Sequence, residues 1–372
     1  MTELTHGHID RVDYRYIVTD LRDNAIIGEL PLQQVSYSNE LSREGALSAE
    51  IQVNWDTMVY QLKDVTVPGR TGLYVLRNGN PIWGGMIWKR RYSAPSRTLE
   101  IEASTFESYL YKRFQRSNRS WASTDQLQIA RQITTNEAAS ILMTVDNKTS
   151  GRVRERNMYR HEFKTVGEEL EQLGNLIDGF DWNVEITRGD GLTLNRILRF
   201  YYPYRGVSKE NTTLSFEYPG SIASVSFSED ADGGANRMWA IGAGEAEEQI
   251  TRLASDTAGN WPPLHESRSY KSVAQYPTLQ AHADSDLTRL RTPIEVAEID
   301  VRADIEPYLG TYGPGDWARF VFKDEYFTPP VTMFMRIIGY TVRVDDEGLE
   351  SISLVVNTER AELAPGEYEE DD

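Results

Sequence analysis

An alternation of apolar and polar residues that begins at Leu73 predicts three consecutive β-strands. Residues 78–81 (Asn-Gly-Asn-Pro) tolerate positive φ and predict a tight reversal after the first strand. Residues 82–92 form a second β-rich run, and the glycine pair at 84–85 predicts a bulge or a close approach of another backbone. Alternating apolar positions at 99–103 predict the third strand and complete the unit.

A second segment with the same order of strands lies near the C-terminus. Residues 335–344 form a β-rich run, residues 345–348 (Asp-Asp-Glu-Gly) predict a turn, and residues 349–354 form a further strand. Gly85 and the strand that follows it align with Gly339 and its following strand. Because similarity within one chain indicates repeated structural units, the sequence predicts two related β-modules.

The first β-module is predicted to cover residues 1–112. Short strands are predicted at 14–18, 25–30, 32–37 and 46–53, and many short strands at regular spacing are typical of a barrel or sandwich. Residues 1–10 are polar and are predicted to form a poorly ordered arm.

Helical patterns appear in residues 113–205, which are predicted to form an inserted α/β domain. Ser123 and Gln126 have the spacing of a capping box, and the helix that follows is predicted to reach about residue 143. Thr165 and Glu168 form a second capping-box pattern ahead of the clearest apolar stripe in the chain. That stripe and its predicted C-terminal stop consist of Val166, Leu170, Leu173, Ile177 and Gly179. A hairpin at 182–202 follows.

Four arginines occupy the connection between these two helices: Arg152, Arg154, Arg156 and Arg160. Such a cluster could bind an acidic partner or nucleic acid. A solvated loop with salt bridges is the favoured interpretation, because exposed basic runs in an acidic protein specify little.

The second β-module is predicted to combine residues 206–245 with residues 292–360. Residues 246–291 interrupt it as an inserted region of polar, proline-bearing loops and one helix, with Pro277 at the first helical position. The apolar stripe of this helix consists of Leu279, Ala283, Leu287 and Leu290. Residues 361–372 form an acidic tail that is predicted to be disordered.

Three stretches carry a resemblance to a known family: 74–113 (YVLRNGNPIWGGMIWKRRY…RTLEIEASTFESYLYKR), 313–322 (GPGDWARFVF) and 336–356 (RIIGYTVRVDDEGLESISLVV). They resemble the tail hub proteins of long-tailed bacteriophages, also called minor tail proteins, which are similar to the hub of contractile-tail baseplates. The resemblance covers both ends of the chain, while the middle matches in layout. It implies a mostly β fold with an α/β insertion and two related tube-type β-barrel modules.

The resemblance also implies a structural virion protein at the tail tip. Three chains with two barrels each would form a pseudo-hexameric ring, so a homotrimer could join the six-fold tail tube to the three-fold tip. The implied partners are the distal tail protein ring, the tape-measure protein and a central fibre or receptor-binding protein, with DNA as cargo through the lumen. No cofactor and no catalytic residue is predicted.

Composition limits the alternatives. Cysteine is absent, which excludes disulfides, thiolate nucleophiles and cysteine zinc sites. The formal net charge of −18 argues against binding nucleic acid through clustered cations, and it fits both solubility and a surface past which DNA slides. No signal peptide is visible, and no apolar run approaches the ~20 residues of a membrane span, so we expect synthesis and assembly in the host cytoplasm.

Candidate catalytic patterns are weak. His161 and His265 each precede a glutamate, but neither pair continues as His-Glu-x-x-His, because Lys164 and Arg268 occupy the fourth positions. Surface or structural roles are therefore favoured for both. Two acidic pairs are likewise predicted to lie on solvated turns and helix faces: Asp230 with Asp232, and Asp284 with Asp286.

Two other classes of function remain open. A receptor- or carbohydrate-binding tail-tip module could use the α/β insertion or exposed aromatic residues. A cell-wall hydrolase is disfavoured, because the barrels and the insertion use nearly the whole chain.

Subunit contacts are expected in two regions rich in aromatic side chains, because such side chains are enriched at interfaces. An equally open alternative is that they fill the core of each module. The residues concerned are Trp83, Trp88, Tyr92, Trp317, Phe320 and Tyr340.

Overall fold

The computed structural model describes residues 12–57, 61–176, 178–191, 193–229, 234–245, 248–257, 262–271, 273–290 and 294–357. The predicted N-terminal arm and acidic tail, together with Asp230 and Asp232, lie outside the described residues. The chain divides into two compact units. Unit 1 comprises Met1–Asn175, Gly179–Ser224 and Asp300–Val355, and unit 2 comprises Leu176–Asp178, Val225–Ile299 and Val356–Asp372.

The described chain is mostly β, which confirms the predicted class. Its helices are α1 (Leu62–Val65), α2 (Gln126–Ala139), α3 (Val166–Gly174) and α4 (Tyr276–Leu290). The strands of the first third are β1 (Tyr14–Asp20), β2 (Ile26–Glu29), β3 (Gln33–Glu40), β4 (Ala46–Gln52), β5 (Thr71–Arg77), β6 (Asn80–Ser93), β7 (Thr98–Thr105) and β8 (Arg119–Asp125). Those of the middle are β9 (Met143–Val145), β10 (Val153–Met158), β11 (Asp181–Arg188), β12 (Leu194–Tyr201), β13 (Ser215–Tyr218), β14 (Ile222–Glu229), β15 (Arg237–Ile241), β16 (Thr251–Ser255) and β17 (His265–Ser269). The last four are β18 (Ile294–Val301), β19 (Trp317–Phe322), β20 (Val331–Val344) and β21 (Glu350–Asn357).

One continuous path of strand pairing organises unit 1. It runs through β2, β1, β5, β6, β7, β4, β3, β20 and β21, and β19 with its partner β13 joins at β20. The first half of β20 pairs with β19 and its second half pairs with β3. Strands from the two ends of the chain therefore share one sheet.

The predicted reversal after β5 is confirmed. Asn78 and Gly79 have φ values of 48° and 76°. Positive φ at both central residues defines the type I′ turn, whose twist matches that of the flanking strands. The register places Arg77 directly opposite Asn80.

The glycine pair that follows marks two close approaches, as the sequence predicted. A Cβ on Gly85 would meet the Ser104 carbonyl oxygen of β7 and would lie 2.6 Å from the Trp83 ring. A Cβ on Gly84 would lie 2.7 Å from the Ile186 side chain of β11. The inserted domain thus packs directly on a backbone that lacks side chains.

The predicted repeat is visible in strand lengths. β6 and β7 contain 14 and 8 residues, and β20 and β21 contain 14 and 8 residues. Among the described strands the pairing follows an open path, so closure of either module into a barrel stays a prediction. The predicted boundaries at 112, 205, 245, 291 and 360 also stay predictions.

The helix α2 begins differently from the prediction. Asp125 caps it, with a carboxylate that accepts hydrogen bonds from the backbone N–H groups of Leu127 (2.9 Å) and Gln128 (3.4 Å). Ser123 belongs to β8 and has a φ of 47°. The capping-box assignment of Ser123 with Gln126 was wrong because an aspartate one residue before the helix competes successfully for its free N–H groups.

The capping box of α3 is confirmed. The Thr165 hydroxyl accepts from the Glu168 N–H at 3.2 Å, and the Glu168 carboxylate accepts from the Thr165 N–H at 2.7 Å. The helix ends at Gly174 and not near residue 179, because the Gly174 carbonyl accepts from the N–H of Phe180, which leads directly into β11. Ile177 of the predicted stripe lies outside the described residues.

The inserted α/β domain contains a strand that the sequence did not reveal. Residues 153–158 form β10, which pairs antiparallel with β8, where a loop was predicted. Exposed Val153, Glu155 and Asn157 alternate with the half-buried arginines 154 and 156, so the strand has no apolar alternation. Arg156 confirms the predicted salt bridging, with a 2.8 Å contact to Glu169 of α3.

Unit 2 is built on the antiparallel pair β15–β16 and the parallel pair β15–β17. β16 and β17 lie within 246–275, where loops were predicted; every residue of β17 is exposed, so it has no apolar pattern. The stripe of α4 packs on this sheet as predicted, in a core of Met238, Ala240, Ala254, Leu279, Ala283 and Leu287.

Asp286 on α4 contradicts its predicted solvated position. Its carboxylate is buried, lies 2.9 Å from the Arg268 guanidinium and accepts a hydrogen bond from the Tyr270 hydroxyl. Burial and this contact raise the pKa of Tyr270 to about 12. Asp284 is exposed, as predicted. Among the described helices, none combines the length and apolar character of a membrane span.

The close approach at Gly85 generates a stability prediction. Gly85→Ala should lower the free energy of unfolding by about 1–3 kcal/mol, because the new methyl group overpacks against a strand backbone that cannot move alone. Gly313→Ala is the matched control, since a Cβ there meets nothing within 4 Å. Urea unfolding followed by tryptophan fluorescence measures both variants. Equal midpoints would contradict the packing described for β6 and β7.

Candidate partner-binding surface

Three of the six aromatic residues expected at interfaces lie in the interior of unit 1. Trp83 is 1% exposed, and its indole N–H donates to the Ser38 carbonyl oxygen at 3.0 Å. Phe320 is fully buried and stacks on Phe216 with ring centroids 5.2 Å apart. Tyr340 is also buried. For these three residues burial favours the alternative interpretation, a role in the core.

The other three aromatic residues reach the surface to different degrees. Tyr92 is 54% exposed at the end of β6. Trp88 is half-buried and donates its indole N–H to the Ser108 hydroxyl at 2.8 Å. Trp317 is half-buried beneath the Lys209 ammonium, which lies 5.8 Å from its ring centroid. An interface role for them stays a prediction, and Tyr92 is the most accessible.

The face of β6 opposite Tyr92 is balanced in charge. Lys89 and Arg91 of β6 form cross-strand ion pairs with Glu102 and Glu100 of β7, each at 2.6 Å. The Arg91 guanidinium lowers the pKa of Glu100. Both pairs are exposed, so they contribute little to stability. Because successive side chains of a strand point to opposite faces, these ion pairs lie on the face of β6 opposite the Tyr92 ring.

A buried ion pair joins the two ends of the chain beneath this sheet. Arg77 of β5 binds Glu350 of β21 through two hydrogen bonds of 2.6 and 2.8 Å, and it also donates to the Leu309 carbonyl at 3.2 Å. The Tyr14 hydroxyl donates to the same carboxylate and lies 3.1 Å from the Tyr37 hydroxyl. The pairing with Glu350 raises the pKa of Arg77 further, and burial raises that of Tyr14. This network fixes the first predicted module against the second.

A second buried ion pair joins the inserted domain to β20. The Arg336 guanidinium lies 2.5 Å from the Asp181 carboxylate, and both side chains are almost inaccessible. Arg336 also donates to the carbonyl oxygens of Gly315 (3.0 Å) and Arg205 (2.9 Å), while the Arg205 N–H donates to Asp181 at 2.8 Å. Arg336 lies 155 residues from Asp181 and 131 from Arg205, so this cluster joins β20 to segments far away in the sequence.

Neither ion pair was found from the sequence. The partners are separated by 273 and 155 residues, and each charge lies in a strand with no distinctive motif. A charged residue inside an otherwise apolar strand was the only available signal. It indicates a buried partner but does not identify it.

A buried carboxyl group lies under the inserted domain. Glu107 follows β7 in a 3-10 turn (Phe106–Lys112), and its Oε1 atom accepts from the Val184 N–H of β11 at 2.5 Å. Its Oε2 atom has no hydrogen-bond partner among the described residues. Burial raises the pKa of this carboxyl group, although the Val184 hydrogen bond opposes the shift.

The histidines singled out for possible metal chemistry occupy ordinary positions. His161 packs against Tyr159 with ring centroids 5.5 Å apart, and the Nδ1 atom of His265 accepts from the Trp239 indole at 3.1 Å. Within the described ranges, no group of three or more His, Asp or Glu side chains is arranged to hold a metal ion.

Comparison with solved structures shows how widely this arrangement occurs. A tail protein from Neisseria meningitidis has a TM-score of 0.62 at 13% identity, over 95% of this chain and 98% of its own. The 43 kDa tail protein of prophage MuSo2 from Shewanella oneidensis has a TM-score of 0.64 at 14% identity, over 94% and 100%. A prophage tail protein from Listeria monocytogenes has a TM-score of 0.53 at 13% identity, over 93% and 95%.

The chain has the fold of phage tail proteins. This confirms, at the level of the fold, the resemblance seen in the sequence. The match spans nearly the full length of both partners, so the insertion and both β-rich ends belong to the shared architecture. No protein-family model matches the sequence, and no curated protein matches it.

The ion pair of β20 generates the second prediction. Arg336→Met should lower the free energy of unfolding by about 3–5 kcal/mol, because it removes the buried cation that faces the Asp181 carboxylate. Arg319→Met on the neighbouring strand is the control: its side chain is 48% exposed and lies 3.9 Å from Glu217, so its loss should cost under about 1 kcal/mol. If chemical unfolding gives the same loss of unfolding free energy for Arg336→Met and Arg319→Met, burial of the Arg336 pair does not affect stability.

Glu107 generates a prediction about pH. Its folded pKa lies above the ordinary value of about 4.3, so the folded chain keeps this proton where the unfolded chain has lost it. The contribution of Glu107 to the unfolding free energy must therefore fall as pH rises between the two pKa values. The difference in unfolding free energy, Glu107→Gln minus wild type, should increase across this window and then level off.

Glu100→Gln is the matched control for that experiment. Because Arg91 lowers the folded pKa of Glu100, the corresponding difference should shift with pH in the opposite direction. For Glu100 this shift lies below the ordinary pKa of about 4.3, and for Glu107 it lies above that value, so unfolding free energies at about pH 2 to 8 test both. A flat or descending profile for Glu107→Gln contradicts the raised pKa.

Proposed function

We propose that this chain is a structural protein of a phage tail, and specifically the homotrimeric hub at the tail tip. The observation that carries the proposal is the fold match to tail proteins over nearly the whole of both chains. In this role the trimer joins the six-fold tail tube and distal tail ring to the three-fold tip, and it lines part of the DNA exit channel.

The duplicated strand unit supports a role between two symmetries. A trimer whose subunits each present two similar β-modules offers six similar surfaces on one side while remaining three-fold overall. β6–β7 and β20–β21 are the units with equal strand lengths. They are the natural candidates for equivalent contacts with a six-fold ring.

The buried ion pairs suit a protein that must keep a fixed shape within an assembly. Arg77–Glu350 and Arg336–Asp181 tie strands from opposite ends of the chain and from the insertion into one body. Breaking a buried pair costs far more than breaking an exposed one. The relative position of the two modules is thereby held, as matching a fixed ring requires.

The proposed partners are the distal tail protein ring, the tape-measure protein and a central fibre or receptor-binding protein, with DNA as cargo. The proposed location is the tail tip of the virion, after assembly in the host cytoplasm. A net charge of −18 supports passage of DNA without retention. The role needs no catalysis and no cofactor.

A second candidate function is recognition of a receptor or carbohydrate through the inserted domain. Phe114 and Phe163 are 54% and 69% exposed and form an edge-to-face pair with centroids 6.3 Å apart. Exposed aromatic pairs are suited to stacking on ligands. A hub can carry such a surface, so this function adds to the first and does not replace it.

The hub proposal predicts a trimer. By light scattering, the purified protein alone should have three times the mass of the chain, and its complex with the distal tail protein should contain three copies of the chain. Negative-stain images should show rings with a central hole. Tyr92→Asp should raise the concentration needed for half-assembly by about tenfold or more, because it removes an aromatic anchor.

Tyr308→Asp is the control for that substitution, since Tyr308 is 44% exposed and lies outside both expected interface regions, 83–92 and 317–340. It should assemble like the wild type. A protein that stays monomeric both alone and with the distal tail protein overturns the hub assignment.

A further inference from the structure

Positive charge is concentrated in one part of an acidic chain. The whole chain has 39 Lys and Arg against 57 Asp and Glu, but residues 112–164 have eleven Lys and Arg against five Asp and Glu. These residues form β8, α2, β9 and β10 of the inserted domain. The distribution therefore creates a local field opposite in sign to that of the rest of the protein.

Two of the five carboxylates in this region are occupied within the fold. Asp125 caps α2 and also accepts from the backbone N–H groups of Ser150 (2.9 Å) and Gly151 (2.7 Å). Glu137 is 13% exposed and lies 2.5 Å from the Arg113 guanidinium. The Glu137 pair removes one charge of each sign, so it leaves the excess of positive residues in 112–164 unchanged.

A groove of about 640 Å³ lies on this face between β8 and α2. Arg119 lies on the strand side, and its Nη1 atom donates to the Gln132 carbonyl oxygen of the helix at 2.6 Å. Trp121 donates its indole N–H to the Gln132 side chain at 2.8 Å. No carboxylate lines the groove, and its other polar walls include Arg131, Gln128, Thr135 and Asn136.

The chemistry of this lining selects an extended, anionic chain. Guanidinium groups bind carboxylates through paired, charge-assisted hydrogen bonds. Amide and hydroxyl side chains can pair with both the carbonyl and the N–H groups of a peptide backbone. The absence of a carboxylate in the lining removes repulsion of an acidic ligand. The groove thus combines two cations, Arg119 and Arg131, with neutral hydrogen-bonding groups.

We propose that this groove binds the acidic segment 362–372 of a second copy of the chain. That segment contains six Asp and Glu and no Lys or Arg, which equals the excess of positive residues in 112–164. The second copy rests on the proposed homotrimer, but binding of the segment itself can be tested without it. In the assembly this contact links neighbouring subunits and neutralises both charge clusters.

The test uses the full chain with its own acidic segment neutralised by Glu362→Gln, Glu367→Gln, Glu369→Gln, Glu370→Gln, Asp371→Asn and Asp372→Asn. A fluorescent peptide of residues 362–372 should bind this protein in an anisotropy titration. Binding should be weaker to the unaltered chain, whose own segments compete. It should also weaken at least tenfold between 0.05 and 0.5 M salt, because exposed charges are screened.

Charge reversal in the groove supplies the decisive comparison. Arg119→Glu with Arg131→Glu should weaken peptide binding at least tenfold, and a peptide with lysine at the six acidic positions should then bind to the reversed groove. Arg131→Glu alone guards against a folding defect, since the Arg119 contact with α2 is kept. The control, Lys63→Glu with Lys323→Glu, makes the same charge change at exposed positions elsewhere and should leave binding unchanged.

Three results overturn the proposal. The peptide does not bind, or it binds equally to the reversed groove and to the control. A short DNA duplex binds the groove more tightly than the peptide with the same dependence on Arg119 and Arg131. The third result is that the unaltered chain's own segment weakens peptide binding by the same factor at every protein concentration, because such competition would show that the contact is intramolecular.

The test separates this proposal from the hub assignment. A trimer that does not bind the peptide overturns the groove proposal alone. If the protein binds the peptide but never assembles, even with the distal tail protein, two claims fail together: that the segment comes from a second copy, and that the chain is a hub.

Discussion

The antiparallel pairing of β3 with β20 holds unit 1 together. Six positions pair, from Val35 opposite Val344 to Glu40 opposite Gly339, although the two strands come from opposite ends of the chain. The pair Asn39–Tyr340 adds a side-chain hydrogen bond of 2.7 Å across the same register. Without this ladder, the strands before it and after it would form separate sheets with exposed edges. The cost of closing so long a loop grows only logarithmically, so a large insertion between the two strands is tolerated.

The polar groups buried beside this ladder make its register specific. Arg77 and Glu350 meet only when β5 and β21 are correctly placed around β3 and β20. Arg336 can satisfy Asp181, Gly315 and Arg205 in one arrangement of the insertion. A buried pair is a poor source of net stability, but a displaced one leaves charges without solvent or partner. Misregistered forms are therefore penalised more strongly than the native form is stabilised.

Such a body is well suited to an assembly whose function depends on geometry. The aromatic residues Trp83, Phe320 and Tyr340 pack in the interior of unit 1, whereas the Tyr92 ring is exposed. Charge is also unevenly distributed, because residues 112–164 contain eleven Lys and Arg against five Asp and Glu in a chain whose net charge is −18.

Local rules were sufficient wherever a few adjacent residues decide the conformation. Asn78-Gly79 specified a type I′ turn, Thr165 with Glu168 specified a helix start, and the alternation after Leu73 specified strands, because each rests on sterics or hydrogen bonds within about four residues. The mostly β class, the insertion and the repeat followed from these elements. The sequence also showed the local excess of arginine, but not that β8 and α2 place part of it around a groove.

Tertiary contacts decided the rest. Asp125 displaced Ser123 as the cap of α2 because its carboxylate also meets the backbone at Ser150 and Gly151. β10, β16 and β17 are strands because partners pair with them, not because their side chains alternate. The ion pairs Arg77–Glu350 and Arg336–Asp181 depend on a fold that brings distant strands together. Composition and local pattern determined most of the elements of this protein, and long-range pairing determined the strands that lack alternation and which charged and aromatic side chains became core or surface.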